Sequence, residues 1–195
     1  MKLSKKSLRS VKIVLSCILL AVMLGFLVYV NVTEIAKGKA AYRTVAGSSF
    51  RNVTYFQNFS MDTFDGGTFT NNDFAGYKVI VVNVWEPYCS SCLKEMPELN
   101  ELSKEYKDKG LLLVGVQGNA IQYPQDIQLG FDEIEPLDIS FPMLLADQGF
   151  HDEVRPYLND AFPGTWVLDE QGNILDFTAS AKSRDAWAQY FDRFL

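Results

Sequence analysis

The feature that most constrains the fold is an aliphatic run that leads into two cysteines and then into a helical pattern. Residues 77–85, YKVIVVNVW, are nearly continuously apolar, as expected for a strand covered by helices on both faces. Cys89 and Cys92 follow, and residues 90–109 place apolar side chains at helical spacing. A second apolar run, 111–117, completes a strand, helix, strand unit. Such a unit predicts two parallel strands joined by a right-handed crossover.

The rest of the chain predicts a second half of the same sheet. GTWVLD and ILDFTAS flank the turn EQGN and predict a β-hairpin, and SRDAWAQYFDRFL predicts an amphipathic helix. Between the halves the pattern predicts a helix over 124–137, a short strand in SFPMLLAD and a short helix over 149–159. Residues 53–74, with the turn Asp65-Gly66-Gly67, predict an N-terminal hairpin that extends the main sheet. The fold class is therefore α/β, a sandwich around one mixed sheet.

The N-terminus differs in composition from the rest of the chain. Residues 1–12 carry five basic side chains and no acidic one, and residues 13–30 carry no charge. As a helix these 18 residues would span about 27 Å, enough for a hydrocarbon core. This pattern predicts a cytoplasmic basic tail, a transmembrane anchor over 13–30, a linker over 31–50 and a folded domain over 51–195 on the outer face of the cell membrane. A cleaved signal peptide is the alternative.

The charge excludes one class of function. The chain has 18 basic and 24 acidic residues, and without the five basic residues of the tail 13 remain against 24, a formal charge of −11. A domain this acidic repels a phosphate backbone, so no nucleic-acid partner is expected.

Four interpretations compete for Cys89 and Cys92. A structural disulfide would close a very small loop, which constrains the unfolded chain little. Structural zinc needs four ligands, usually from two such pairs, and the chain has no second pair and a single histidine, His151. Copper bound by the two thiolates and His151 is a third possibility. A redox pair is the fourth, and it uses every feature of the segment.

In the redox interpretation the two cysteines have different roles. Cys89 stands at the first turn of the helix, where free N–H groups and the helix dipole stabilise a thiolate and lower its pKa. Cys92 lies one turn further on the same face and can resolve the mixed disulfide. Attack and resolution are the whole reaction, and no cofactor or metal is expected.

These residues carry a family resemblance. NVWEPYCSSCLKEMPEL resembles the active-site segment of the TlpA-like and ResA-like thiol-disulfide oxidoreductases, membrane-tethered members of the thioredoxin superfamily, and FPGTWVLDEQGNIL resembles a second segment of that family. The resemblance covers residues 53–195. It implies a thioredoxin-like fold, protein thiol and disulfide substrates, and a membrane protein as electron donor.

The resemblance also implies roles for individual residues. Pro163 matches the proline whose preceding peptide bond is cis and faces the disulfide, and Phe162 would offer its backbone to a substrate peptide. Trp85 helps to frame the site. Glu95, three residues after Cys92, matches a family glutamate and is the candidate proton donor and acceptor, because Asn83 occupies the place of the thioredoxin aspartate and cannot titrate.

The sequence departs from the family pattern around the cysteines. Glu86 replaces a small residue, Tyr88 replaces tryptophan, and Ser90-Ser91 separates the cysteines without a proline. A carboxylate near Cys89 disfavours its thiolate, whereas serine hydroxyls favour it, so the residues leave the reduction potential open. The resemblance favours a reductase of protein disulfides. The alternatives are a thiol oxidase, a copper carrier and a binding domain with a structural bridge.

Overall fold

The computed structural model describes residues 19, 20, 22–26, 29, 30, 50 and 52–195, and the chain divides into two units, Met1–Tyr42 and Arg43–Leu195. The described residues of the first unit are helical. In the described part of the chain no helix is both long enough and apolar enough to cross a membrane.

This finding corrects the predicted fold class, which included a transmembrane helix over 13–30. The longest described stretch of that range is residues 22–26, and crossing a hydrocarbon core takes about 20 helical residues. Residues 13–18, 21, 27 and 28 of that range, the predicted tail over 1–12 and the predicted linker up to residue 49 lie outside the described residues.

The second unit is built on a five-stranded mixed sheet. The strands are β3 (Val79–Trp85), β4 (Leu111–Gln117), β5 (Met143–Leu145), β6 (Gly164–Asp169) and β7 (Ile174–Thr178). They stand in the order β5-β4-β3-β6-β7. Strand β3 is parallel to β4, which is parallel to β5, whereas β6 is antiparallel to both β3 and β7.

Four α-helices belong to this unit: α1 (Ser90–Lys107), α2 (Ile127–Ile134), α3 (Gln148–Glu153) and α4 (Arg184–Phe191). Helix α1 is the crossover between β3 and β4, and it packs against β4 and α4. The helix continues through Pro97. The helix predicted over 124–137 is α2 with a 3-10 turn at each end, which divides what the sequence presents as one segment.

Six of the seven residues of the central strand β3 are apolar, as expected when both faces of a strand are buried, and the exception is Asn83. Ile80, Val82 and Val84 belong to one core, with aromatic residues of α3 and the segment before β3. Val81 and Trp85 belong to the other core, which contains the inward faces of α1 and α4. The predicted sandwich around one mixed sheet, a thioredoxin-like fold, is confirmed.

The N-terminal hairpin forms a separate sheet. Strands β1 (Ser60–Asp62) and β2 (Thr68–Thr70) pair only with each other as a ladder. A single bridge, between Thr63 and Leu144, connects the hairpin to β5. The expectation that the hairpin extends the main sheet is therefore wrong, because the chain turns away from β5 after that one bridge.

Candidate active site

The topology brings three chain segments to one edge of the sheet. Strand β3 ends at Trp85 and parallel β4 ends beside it at Gln117, while antiparallel β6 starts at Gly164 opposite Val84. The loops that follow β3 and β4 and the loop that precedes β6 therefore meet. They carry Cys89, Asn119 and Pro163, and Cys92 follows in the first turn of α1.

The two cysteines are disulfide-bonded, with their Cα atoms 5.2 Å apart. Cys89 is the N-cap of α1: its Sγ accepts a hydrogen bond from the Cys92 backbone N–H at 3.2 Å. The Ser91 hydroxyl lies 3.3 Å from the same sulfur. Cys89 is half-buried and Cys92 is fully buried. An incoming thiol or disulfide can therefore reach only the first sulfur.

The residues predicted to frame the site are unequal in exposure. The peptide bond between Phe162 and Pro163 is cis, as the resemblance implies. Phe162 lines a cavity together with Cys89. Trp85 is fully buried and belongs to the same core cluster as Cys92, under α1. It therefore packs beneath the site and is not exposed to a substrate.

Glu95 is held by a network that reaches across the core. The residue is 2% exposed. Oε1 accepts a hydrogen bond from the Asn83 side-chain amide at 3.0 Å, and Oε2 accepts from the Lys182 backbone N–H and from Trp187 Nε1, both at 3.0 Å. The Asn83 amide also donates to the Thr165 hydroxyl at 3.1 Å.

Two effects oppose each other at this carboxyl. Burial raises the pKa of Glu95, and the three donors together with the nearby Lys182 charge lower it, with burial the larger effect. The result is a carboxyl with a raised pKa, one helical turn from Cys92. A carboxyl with a raised pKa accepts a proton more readily than an ordinary carboxyl, and it can return that proton.

A second buried carboxyl lies on the cavity side of Cys89. Glu86 is 8% exposed, and its Oε1 accepts a hydrogen bond from the Asn119 backbone N–H at 2.6 Å. Burial raises its pKa to about 7, although the Asn119 hydrogen bond and the charge of Arg155 act in the opposite direction. The cavity that it lines with Cys89 has a volume of about 540 Å³.

The histidine lies in a different environment. His151 Nδ1 is 3.3 Å from Asp152 Oδ1, and in the described residues no three His, Cys, Asp or Glu side chains are grouped so that they could hold a metal ion. The set of ligands that the copper interpretation requires is not assembled there.

Sequence reasoning missed several partners of these groups. Lys182 and Trp187 contact Glu95 from 87 and 92 positions away, and Asn119 contacts Glu86 from 33 positions away. Glu86 stood out only as a departure from the family pattern. No local signal in the sequence connects these pairs.

Fold and site together define a thioredoxin-like thiol-disulfide oxidoreductase: the paired cysteines begin a helix after the central strand, and a cis-proline precedes the antiparallel strand beside it. The chain belongs to the AhpC/TSA family, whose model matches residues 54–177.

Known proteins with similar sequences agree with this class. The chain is 31% identical over 134 residues to the thioredoxin-like protein YneN of Bacillus subtilis, covering 69% of this chain and 75% of the relative. It is 24% identical over 136 residues to the thiol-disulfide oxidoreductase ResA of Bacillus thuringiensis, covering 70% and 74%.

A solved structure shares the fold. The structure of a putative thiol:disulfide interchange protein DsbE from Chlorobium tepidum superposes with a TM-score of 0.57 at 18% identity, covering 71% of this chain and 94% of that one. At this identity the similarity concerns the fold alone.

Proposed function

We propose that this protein reduces disulfides of protein substrates outside the cytoplasm. One observation carries the proposal: an accessible Cys89 caps a helix and is disulfide-bonded to an inaccessible Cys92. A bridge that served only stability would have no need for this difference in access, and it would close a loop too small to constrain the unfolded chain.

The reaction is a two-electron exchange. In the reduced protein the Cys89 thiolate attacks a substrate disulfide, a mixed disulfide forms and one substrate thiolate leaves. The Cys92 thiolate then attacks the Cys89 sulfur, and the second substrate thiolate leaves. The substrate gains two electrons, and the protein is left with the Cys89–Cys92 disulfide seen in the structure.

Glu95 supplies the proton transfer that the second step needs. The Cys92 thiol must lose its proton inside the core, where no solvent reaches it. Glu95 is a buried carboxyl one turn away with a raised pKa, so it accepts that proton and returns it when the pair is reduced again.

Phe162 and Pro163 hold the substrate segment beside Cys89. Phe162 lines the cavity with Cys89 and lies outside the pairing of β6 with β3, which starts at Gly164. Its backbone is therefore in a position to pair with an extended substrate peptide.

A reductase that works outside the cytoplasm needs an electron donor that reduces its own disulfide after each turnover. We assign this step to a dithiol protein of the membrane, which reduces the Cys89–Cys92 disulfide by the same exchange in reverse. In intact cells, a membrane-impermeant maleimide should then label the reduced Cys89 thiol in a Cys17→Ser background. Labelling only after lysis would contradict the location.

The reduction potential of the purified full chain tests the direction. A value near that of thioredoxin, about −270 mV, supports a reductase, and a value near −120 mV supports a thiol oxidase instead. A pair that resists reduction well below about −300 mV is a structural bridge and would end the proposal.

Two cysteine variants test the roles. Cys92→Ser should accumulate a mixed disulfide with the substrate, visible as a band on a non-reducing gel, because the resolving thiol is absent. Cys89→Ser should form none. Trapping through Cys92 in the second variant would contradict the assignment.

A further inference from the structure

The cavity beside Cys89 has an unusual lining. Apart from Cys89 and Asn119 it is bounded by carboxyl-bearing and aromatic side chains, and among the residues that the structure describes no lysine or arginine lines it. These side chains are Glu86, Asp126, Asp160, Tyr88, Tyr123 and Phe162.

One of the three carboxylates already has a cationic partner. Asp160 Oδ1 accepts a hydrogen bond from Arg155 Nη2 at 2.8 Å, and Arg155 Nε donates to the Asn119 side chain at 2.6 Å. The guanidinium is thereby held by Asp160 and Asn119. Its charge is paired with Asp160, and it also acts on Glu86 without forming an ion pair with it.

The other two carboxylates form no ion pair within the described part of the chain. Asp126 Oδ1 accepts a hydrogen bond from the Tyr88 hydroxyl at 3.1 Å. Glu86 accepts one from the Asn119 backbone N–H, and no described side chain donates to it. Glu86 is more than nine-tenths buried, so water compensates a charge on it poorly.

We propose that this cavity is a subsite for a lysine or arginine side chain that lies next to the reacting cysteine of the substrate. The cation would stand between Glu86 and Asp126, and the rings of Tyr88 and Tyr123 would contact its stem and its charge. This inference rests on the proposed disulfide exchange at Cys89, because it identifies which substrates that exchange favours.

A bound cation would offset the cost of ionising the buried Glu86 carboxyl. Burial raises the pKa of Glu86 to about 7, which means that the empty cavity disfavours the ionised form. A positive charge beside the carboxyl reverses this preference. An acidic substrate side chain would lie against the carboxylates of Glu86 and Asp126 and would be repelled by them.

The test uses three synthetic peptides, each with one intramolecular disulfide, that differ only in the residue after the first cysteine: lysine, norleucine or glutamate. The pre-reduced full chain is mixed with each peptide at pH 8 and low salt, and the second-order rate constant of peptide reduction is measured. The same peptides reduced by dithiothreitol give the intrinsic reactivity by which each rate constant is divided.

We expect the normalised rate constant for the lysine peptide to exceed that for the glutamate peptide at least about fivefold, with norleucine between them. Glu86→Gln and Asp126→Asn should each reduce this ratio at least about twofold, because each removes one of the two unpaired charges. The matched control Glu170→Gln removes the same charge from an exposed turn at the opposite end of β6 and should leave the ratio unchanged.

The outcomes separate this inference from the function on which it rests. Equal rate constants for the three peptides would overturn the subsite and leave the reductase in place. A ratio that survives in both cavity variants would also overturn it, because the preference would then arise elsewhere. If none of the peptides is reduced, the proposed function itself fails. If Glu86→Gln does not fold, Asp126→Asn decides.

Discussion

Replacing Glu86 with glutamine should stabilise the protein, and the gain should grow with pH. The glutamine oxygen can keep the hydrogen bond from the Asn119 N–H, so the substitution removes mainly the charge. The pKa of Glu86 rises from 4.5 to about 7 on burial. The folded state therefore favours the protonated carboxyl more than the unfolded state does.

The sign and size follow from that difference. The contribution of Glu86 to stability is complete below about pH 4.5 and is lost as the pH rises through about 7. The full loss corresponds to about 3 kcal/mol, of which about 2 kcal/mol falls between pH 5.5 and pH 8. The variant, which cannot titrate there, does not suffer this loss.

Urea unfolding of the oxidised proteins at the two pH values measures the effect. The free energy of unfolding of Glu86→Gln minus that of the wild type should be about 2 kcal/mol larger at pH 8 than at pH 5.5. Other titrating groups cancel in this difference, and Glu170→Gln should show no such change. If the difference stays constant within about 0.5 kcal/mol, Glu86 is not a buried carboxyl with a raised pKa, and the reasoning is refuted.

Three further substitutions test the rest of the structure. Glu95→Gln should slow the resolution step about a hundredfold at pH 7, since it removes the buried carboxyl that is proposed to accept the Cys92 proton; rapid-quench trapping of the mixed disulfide measures this, and a rate within about twofold of the wild type would contradict the role. Asn83→Asp places a second carboxyl against Glu95 and should cost about 2–4 kcal/mol at pH 8 and less at pH 5.5, measured by urea unfolding. Gly172→Ala should cost about 1–3 kcal/mol at either pH, measured in the same way, because Gly172 has φ +80° and an added Cβ would meet the backbone carbonyl of Phe56.

The parts of the fold that the sequence predicts are those set by local pattern. Strand β4 covers the predicted residues 111–117, and Trp187 and Phe191 are buried as the helical spacing indicates. A central strand buried on both faces is expected to be almost entirely apolar, and this one pattern predicts the sheet, the crossover and the start of α1.

The placement of the hairpin was not predictable for a physical reason. Its turn residues are distinctive, but its strands have three residues each. Strands this short carry too little alternation to specify a partner edge. The single bridge between Thr63 and Leu144 depends on how the whole domain packs.

The residues of the site also fall into two groups, those that the local sequence relates to one another and those that only the tertiary structure brings together. Cys89, Cys92 and Glu95 lie within seven positions on one helix, so helical geometry relates them to one another. The groups that tune them come from other loops, Lys182 and Trp187 for Glu95 and Asn119 for Glu86. Long-range pairs of this kind depend on the packing of the whole domain.

The positions of the two carboxyls bear on the direction of the reaction. Glu86 lines the same cavity as Cys89, and Glu95 is buried three residues after Cys92 on α1. The strongest oxidants among dithiol proteins owe their potential to a stabilised reduced form. An ionised Glu86 would oppose a thiolate at Cys89, which would destabilise the reduced form and favour the release of its electrons. A cationic side chain bound in the cavity would weaken that opposition. Under the proposed reductase function, the same carboxyl would therefore help to select the substrate and, in the molecules in which it is ionised, would make the dithiol more reducing.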